Sequence, residues 1–549
     1  MLSYNLLNNL QNYTGVPPHI RVGGNAGDTM LYNPDTSDAI IHQNSNPTGA
    51  GNTNPTDLLY FGPAFFSAFD FFPENTPITY GLNLAYQGSD WLDRIVAQAN
   101  ASINGVSNVN VVGFEIGNEP DLYQQSGYRT DSGWGVDEFA TQWQQAAVAI
   151  YNQVLKPKGI GTNFFEPAAT ATTATTNGQP FRINMLTKTN IALDNGIYVA
   201  GWNQHDYYYY VGVSTYQITS ERLLDLSTTV SQFTEWVSQS AQAYQTSKRY
   251  YLREMGSIGP TGLKGISDTF ANTLWTFNFF LYAATVQVSS VQIHSTTFSY
   301  GSPWQPVESN SDGTNAHVRS SYYAFAAFDQ IIGATCNIRI ASLDVTEPAG
   351  YQNHIASYNA YADAKLQTLI ALNTRPASSA ASKGTVNFVY SLPSWAGQTV
   401  YISTLTAAGS DATTNTTWNG ISYESSGDGT PRVVDSSTQT MRVGSDGSLT
   451  VPVRDSQAVV VNVGSKMGSA NNVPNTANCN ALASSTSEGN DISPNNSSLT
   501  GSGGSAAPTF STPPSNQPFN AVRIDAMVPG LAAVTLLAVA LGSFVVIAA

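Results

Sequence analysis

Over residues 19 to 295, short apolar runs alternate with longer stretches of helical periodicity, and few architectures accommodate that order. The strand-like runs are 19–24, 78–85, 109–117, 161–168, 197–205, 249–256 and 291–295. Between them, stretches such as 91–103 and 135–155 repeat apolar residues every three or four positions. Strands that alternate with helices pair in parallel through crossover helices. The expected fold class is therefore α/β, a (β/α)8 barrel, for which seven runs are countable and eight are needed. The chain opens on MLSYNLLNNLQNYTG, which lacks the charged and then apolar segment of a secretory signal. Leu2, Leu6, Leu7 and Leu10 instead form one face of a helix inside a domain. A signal segment and the first barrel strand are thus expected to precede residue 1, leaving the second and eighth strands with unpaired edges.

After a last helical stretch at 320–332 the pattern changes to short alternating runs separated by Gly, Ser, Asp and Asn. That pattern predicts an antiparallel β-sandwich. The expected units are a barrel over 1–318, a sandwich over 319–464, a Ser/Gly/Pro/Asn-rich stalk over 465–520 and an apolar tail over 521–549. From Met527 to Ala549 the tail carries no charge and is long enough to span a bilayer, yet no Lys or Arg follows it. A stalk, a short spacer and a greasy end fit a GPI-attachment signal, with a terminal membrane anchor as the alternative.

At 549 residues the chain exceeds one ordinary core. Charged residues make up 11%, well under the usual share of about 25%, and the net charge is −15. An acidic, charge-poor chain argues against nucleic acid, which needs clustered Lys and Arg. Cys336 and Cys479 form one bridge between the second domain and its tail or stay free thiols; two cysteines are no disulfide framework. Sequons at Asn12, Asn100, Asn415, Asn495 and Asn496, with the acidic composition and the tail, favour an extracellular, surface-held glycoprotein. Gly23-Gly24 lacks a nucleotide-binding context, and no metal-ligand spacing is present, so no cofactor is expected.

The chemistry concentrates in VVGFEIGNEPD, 111–121, an apolar strand ending in Gly117-Asn118-Glu119-Pro120. Catalytic groups of a parallel barrel sit at the C-terminal ends of its strands, which is where Glu119 falls. A second carboxylate is then needed: glycoside hydrolysis uses two, about 5–5.5 Å apart when configuration is retained. RYYLREMGSIG, 249–259, supplies Glu254 at another strand end, with Arg253 alternating away. Trp202 and Trp304 are candidates to stack on sugar rings, although buried tryptophans usually just pack.

These motifs resemble glycoside hydrolase clan A and, within it, family 79, the β-glucuronidase and heparanase family. The resemblance rests on RVGGNAGD at 21–28, FEIGNEPDLY at 114–123, the His-x-Tyr of QHDYYYY at 204–210 and REMGSIG at 253–259, and extends over residues 1 to 463. It implies that 109–117 is the fourth strand and 249–256 the seventh, and that the trailing sandwich is a family feature. It further implies Glu119 as acid/base, Glu254 as nucleophile, Asn118 as partner of the sugar 2-hydroxyl, and His205 and Tyr207 near the nucleophile. Ser299 and Tyr300 match the loop that helps hold the substrate carboxylate. The expected function is a retaining, exo-acting hydrolase of β-linked glucuronic acid or its 4-O-methyl form, acting as a monomer on glycans or glycosides. Another β-glycosidase or endo-uronidase of the clan, and a non-catalytic carbohydrate-binding protein on the same scaffold, are the alternatives.

Overall fold

The structure, a computed structural model, describes residues 1–43, 58–130, 133–171, 181–191, 196–297, 299–308, 313–333, 338–362, 365–468 and 544–548. Seven parallel strands follow one another around a barrel: β1 (Ile20–Val22), β2 (Thr76–Leu82), β3 (Val109–Ile116), β4 (Ala168–Ala171), β5 (Gly201–Tyr210), β6 (Arg249–Gly259) and β7 (Ser290–Ile293). Each falls on one of the predicted runs or directly continues it. Between β3 and β5 the wall is completed by Phe165, which bridges Phe114 on one side and Val199 on the other.

Helices α1 (Leu2–Thr14), α2 (Trp91–Asn104), α3 (Val136–Ile150), α4 (Leu226–Gln245), α5 (Phe270–Thr285) and α6 (Tyr322–Ile332) lie among the elements around the strands. Amphipathicity explains why they stay there. In α2 the buried positions Ile95, Val96, Ala99 and Ser102 recur at three- and four-residue spacing. Helix α5 is buried almost throughout because it lies between the barrel and the second domain.

The eighth place in the wall is filled in a way the sequence reading does not anticipate. Residues Phe544–Ala548 run antiparallel to both neighbours, pairing with Arg21 and Val22 of β1 and with Val291 to Ile293 of β7. The edges expected to stand open are therefore paired. The physical reason is that unpaired backbone groups on β1 and β7 accept any extended segment that can complete their hydrogen bonds, in either direction. Cys336, Cys479, Asn495, Asn496, the expected stalk from residue 469 onward and most of the apolar tail lie outside the described residues.

The second domain is an antiparallel sandwich. One sheet runs in the order β8 (Ile338–Leu343), β9 (Ile355–Ala362), β10 (Lys365–Asn373), β14 (Gln457–Val463) and β12 (Thr399–Thr406). The other pairs β11 (Thr385–Ser391) with β13 (Ser448–Arg454), both with alternating burial. Helix α6 packs with the barrel, so the sandwich proper begins at Ile338 rather than at residue 319. Its larger sheet faces two ways. Val459, Val461, Leu369 and Val400 meet the small sheet, whereas Tyr358, Ile370, Leu372 and Val460 join the core of the barrel.

Candidate active site

The strands end at a cluster of buried charge. Glu254 is carried by β6 and Glu119 by the turn after β3. Carboxylate oxygens of these two residues and a ring nitrogen of His205 all lie within 4.8 Å of one another. This is also the group among the described residues with the donors and spacing to hold a metal ion. His205 reaches the cluster because the register between β5 and β6 shifts at Gln204/His205, which sets His205 opposite Glu254 instead of Arg253. Bulges of this kind re-aim side chains beside active sites.

Glu254 is held at both oxygens. Arg21 Nη1 donates to Oε2 at 2.5 Å and Tyr207 Oη donates to Oε1 at 2.9 Å. His205 Nδ1 and His294 Nε2 stand 4.0 Å from the same carboxylate. Burial works against the anion, but His294, Arg21, His205 and the Tyr207 hydroxyl outweigh it and hold the Glu254 carboxyl down to about 2. Burial in turn lowers His205 to about 4, so at neutral pH that ring is uncharged and Arg21 and Tyr207 carry the anion. Gly24, at φ 82°, gives the room: a Cβ there would stand 3.4 Å from Glu254 Oε2 in a backbone conformation that side chains disfavour.

Glu119 has the opposite environment. Its carboxyl Oε1 lies 3.4 Å from His205 Nδ1. Burial and the neighbouring Glu254 charge, opposed by Arg21, push it up to about 8. Its backbone is left-handed, φ 47° and ψ 53°, which costs a non-glycine residue on the order of 1–3 kcal/mol. Neighbouring bonds hold it there: Glu119 N–H donates to Ala169 O at 2.8 Å and Leu122 N–H returns to Glu119 O at 2.8 Å.

Asn118 is 5% exposed and engaged on both sides, its Oδ1 accepting from Arg21 Nη2 at 2.8 Å and its Nδ2 donating to Asn25 Oδ1 at 3.0 Å. Tyr300 and Ser299 lie in the loop after β7, where backbone donors are already engaged, one of them by the turn after β6. Tyr300 N–H goes to Thr261 O, Gly301 N–H to Ser299 Oγ, and Ser299 itself is buried. Trp202 and Trp304 are buried, and each indole N–H donates to a hydroxyl, Thr246 Oγ1 and Ser3 Oγ respectively.

The sequence reading does not single out Arg21, Glu115, Asn25, Asp28 and His294. Arg21 is fully buried and joins Glu115 Oε2 at 2.6 Å to Glu254. Asn203 Nδ2 donates to the other Glu115 oxygen at 2.5 Å. Deeper in the barrel Arg253 is bidentate to Glu166, with both contacts at 2.8 Å. The available signal was an arginine and glutamates inside apolar strand runs: buried charge at such positions must be paired.

Comparison with known proteins agrees with this picture. Residues 357–460 match the glycosyl hydrolase family 79 C-terminal beta domain. The chain is 26% identical over 495 residues to a β-glucuronidase of Aspergillus niger, covering 84% of this chain and 86% of that protein. It is 25% identical over 466 residues to a β-glucuronidase of Neurospora crassa, covering 77% and 80%. In three dimensions it resembles a 4-O-α-L-rhamnosyl-β-D-glucuronidase of Fusarium oxysporum, solved with Rha-GlcA, at TM-score 0.68 and 21% identity over 84% of this chain and 92% of that one. It shares the barrel-and-sandwich fold with a family 51 arabinofuranosidase of Xanthomonas axonopodis pv. citri at TM-score 0.51, 13% identity and coverages of 83% and 89%. The chain thus carries a C-terminal β domain of glycoside hydrolase family 79 and is distantly homologous to fungal β-glucuronidases.

Proposed function

We propose that the chain is an exo-acting hydrolase that releases β-linked glucuronic acid, or its 4-O-methyl form, with Glu119 as acid/base and Glu254 as nucleophile. The observation that carries the reading is a pair of carboxyl groups with oxygens within 4.8 Å, one held ionised and the other protonated. That separation leaves no room for a water between carboxylate and sugar, as inversion would need, and suits a covalent intermediate. The choice of sugar is supported by the likeness to the Aspergillus and Neurospora β-glucuronidases.

In the first step a Glu254 oxygen bonds to C1 while the C1–O bond to the aglycone breaks, and Glu119 gives its proton to the departing oxygen. Arg21 and Tyr207 already hold Glu254 as the anion, so no proton has to be removed before attack. Once the ester forms, the Glu254 charge is gone and Glu119, now a carboxylate, takes a proton from the incoming water. The water oxygen bonds to C1, Glu254 leaves as the anion, and two inversions return the β configuration.

The test is turnover of 4-nitrophenyl β-glucuronide beside the β-glucoside and β-galactoside, with early-time NMR of the product. The glucuronide is expected to be preferred, with the β anomer first. Glu119→Gln and Glu254→Gln are each expected to lose on the order of 10²–10⁴ in rate while staying folded. An α anomer first, or near-native rates in either variant, would refute the roles. An extracellular, surface-held site of action belongs to the same proposal and is supported by the exposure of Asn12, Asn100 and Asn415. A loss of apparent mass on glycosidase treatment of the native protein is the expected result.

A further inference from the structure

We propose that Asp28 and Tyr123 are positioning residues for Glu119, gripping the backbone at Asn118 so that the neighbouring carboxyl stays aimed at the leaving-group oxygen. The inference rests on the reading of Glu119 as acid/base and goes beyond it, because neither residue touches Glu119 by a hydrogen bond of its own.

The grip is built from the last residue of the 21–28 motif. Asp28 Oδ1 accepts from Tyr123 Oη at 2.8 Å and from Asn118 N–H at 3.4 Å, and Tyr123 Oη stands 3.3 Å from the same N–H. Asp28 is 6% exposed and Tyr123 1%. The tyrosine is itself locked. Its ring stacks on Trp134 at 5.6 Å and 18°, and the Arg129 guanidinium lies over both rings at 5.3 and 4.6 Å. Arg129 is fixed by Ala85 O and Leu84 O, and Trp134 Nε1 donates to Pro120 O at 2.8 Å. Gly117 completes the fit: at φ 85° it admits the tyrosine, whose Oη would stand 2.9 Å from a Cβ there. The segment 117–120 is thus held at Asn118 N–H and Pro120 O, on either side of the one residue in it that needs holding, the left-handed Glu119.

The charged and titratable groups facing Asp28 are Glu119, Arg21, Tyr123 and Tyr128. Burial, with a smaller push from Glu119, raises the Asp28 carboxyl to about 8 against the bonds from Tyr123 and Asn118. A neutral acid suits the role, since it offers the acceptor oxygen without placing a second anion beside Glu119.

The experiment compares kcat/KM, which reports the steps up to glycosidic cleavage, on two substrates. Phenyl β-glucuronide needs a proton on its leaving group and 2,4-dinitrophenyl β-glucuronide does not. Tyr123→Phe and Asp28→Ala are expected to lose about 10–100-fold on the phenyl glycoside, the scale of a displaced catalytic group. On the dinitrophenyl glycoside they are expected to stay within about threefold of the native enzyme. Asp28→Asn, which keeps the acceptor and cannot ionise, should restore near-native values on both. Equal losses on the two substrates would mark a general folding role, and no loss on the phenyl glycoside would mark no role; either overturns the proposal. Glu119→Gln is run beside them. If it shows the leaving-group selectivity and the Asp28 and Tyr123 variants do not, only the positioning fails; if it lacks the selectivity, the acid/base reading fails with it.

Discussion

Arg21 sets the charge at this site. It binds Glu254 and Glu115 directly, and its charge opposes the rise of Glu119. The pH profile of kcat/KM on an aryl β-glucuronide follows from the two environments. On the proposed roles Glu119 must be protonated, and with its carboxyl at about 8 that condition holds below pH 8 and fails above it. Glu254 must be ionised, and with its carboxyl at about 2 that condition is lost only well below the ordinary carboxylate range. The expected profile is a broad plateau with a basic limb near pH 8, each limb belonging to the coupled pair. A basic limb between pH 4 and 5 would contradict the raised Glu119 carboxyl. Replacing Arg21 by Met should move the acid limb upward as well as slow the reaction, because the anion loses its cation. Glu119 and Glu254 were legible in the sequence because each ends an apolar run. Arg21 was not, since its meaning comes from partners 94 and 233 positions away.

Among the elements, the seven parallel strands were legible because each is an apolar run bounded by helical periodicity or glycine. The bulge that turns His205 toward Glu254 was not, because it adds a register shift without changing composition. Nor was the small sheet of Met30–Tyr32, Ile40–Gln43 and Leu58–Phe61 between β1 and β2, whose strands are only three or four residues long. The segment in the eighth place of the wall was read differently, since an uncharged apolar run reads alike as a membrane tail and as a buried strand. The two uses exclude each other at Phe544–Ala548. Val546→Pro removes a backbone donor and fixes φ in a paired strand. A lower melting temperature is therefore expected for this variant relative to the native protein. An unchanged melt would mean that the segment does not close the wall of the mature chain.

At the scale of the molecule, the barrel and one face of the sandwich share a core. Tyr358 Oη donates to Asn278 Oδ1 at 2.7 Å, Trp418 Nε1 donates to Gln330 Oε1 at 2.9 Å, and Tyr423 packs on Tyr322 and Tyr323 at 5.0 and 5.1 Å. Helix α1 joins the same seam through Asn9 Nδ2 to Gly429 O at 2.8 Å and a Tyr13–Tyr423 hydroxyl contact of 2.6 Å. Calorimetry should accordingly show one cooperative transition, and Tyr358→Ala should lower it by about 3–5 kcal/mol, the range for emptying a large buried ring. Two separated transitions would show that the shared seam does not couple the units. For a protein engineer the seam means that the family 79 β domain is not a detachable cassette. Grafting it onto another barrel, or trimming it to make a smaller catalyst, uncovers the aromatic side of α6. The sheet face that rests there packs against this barrel through Tyr358, Ile370 and Val460.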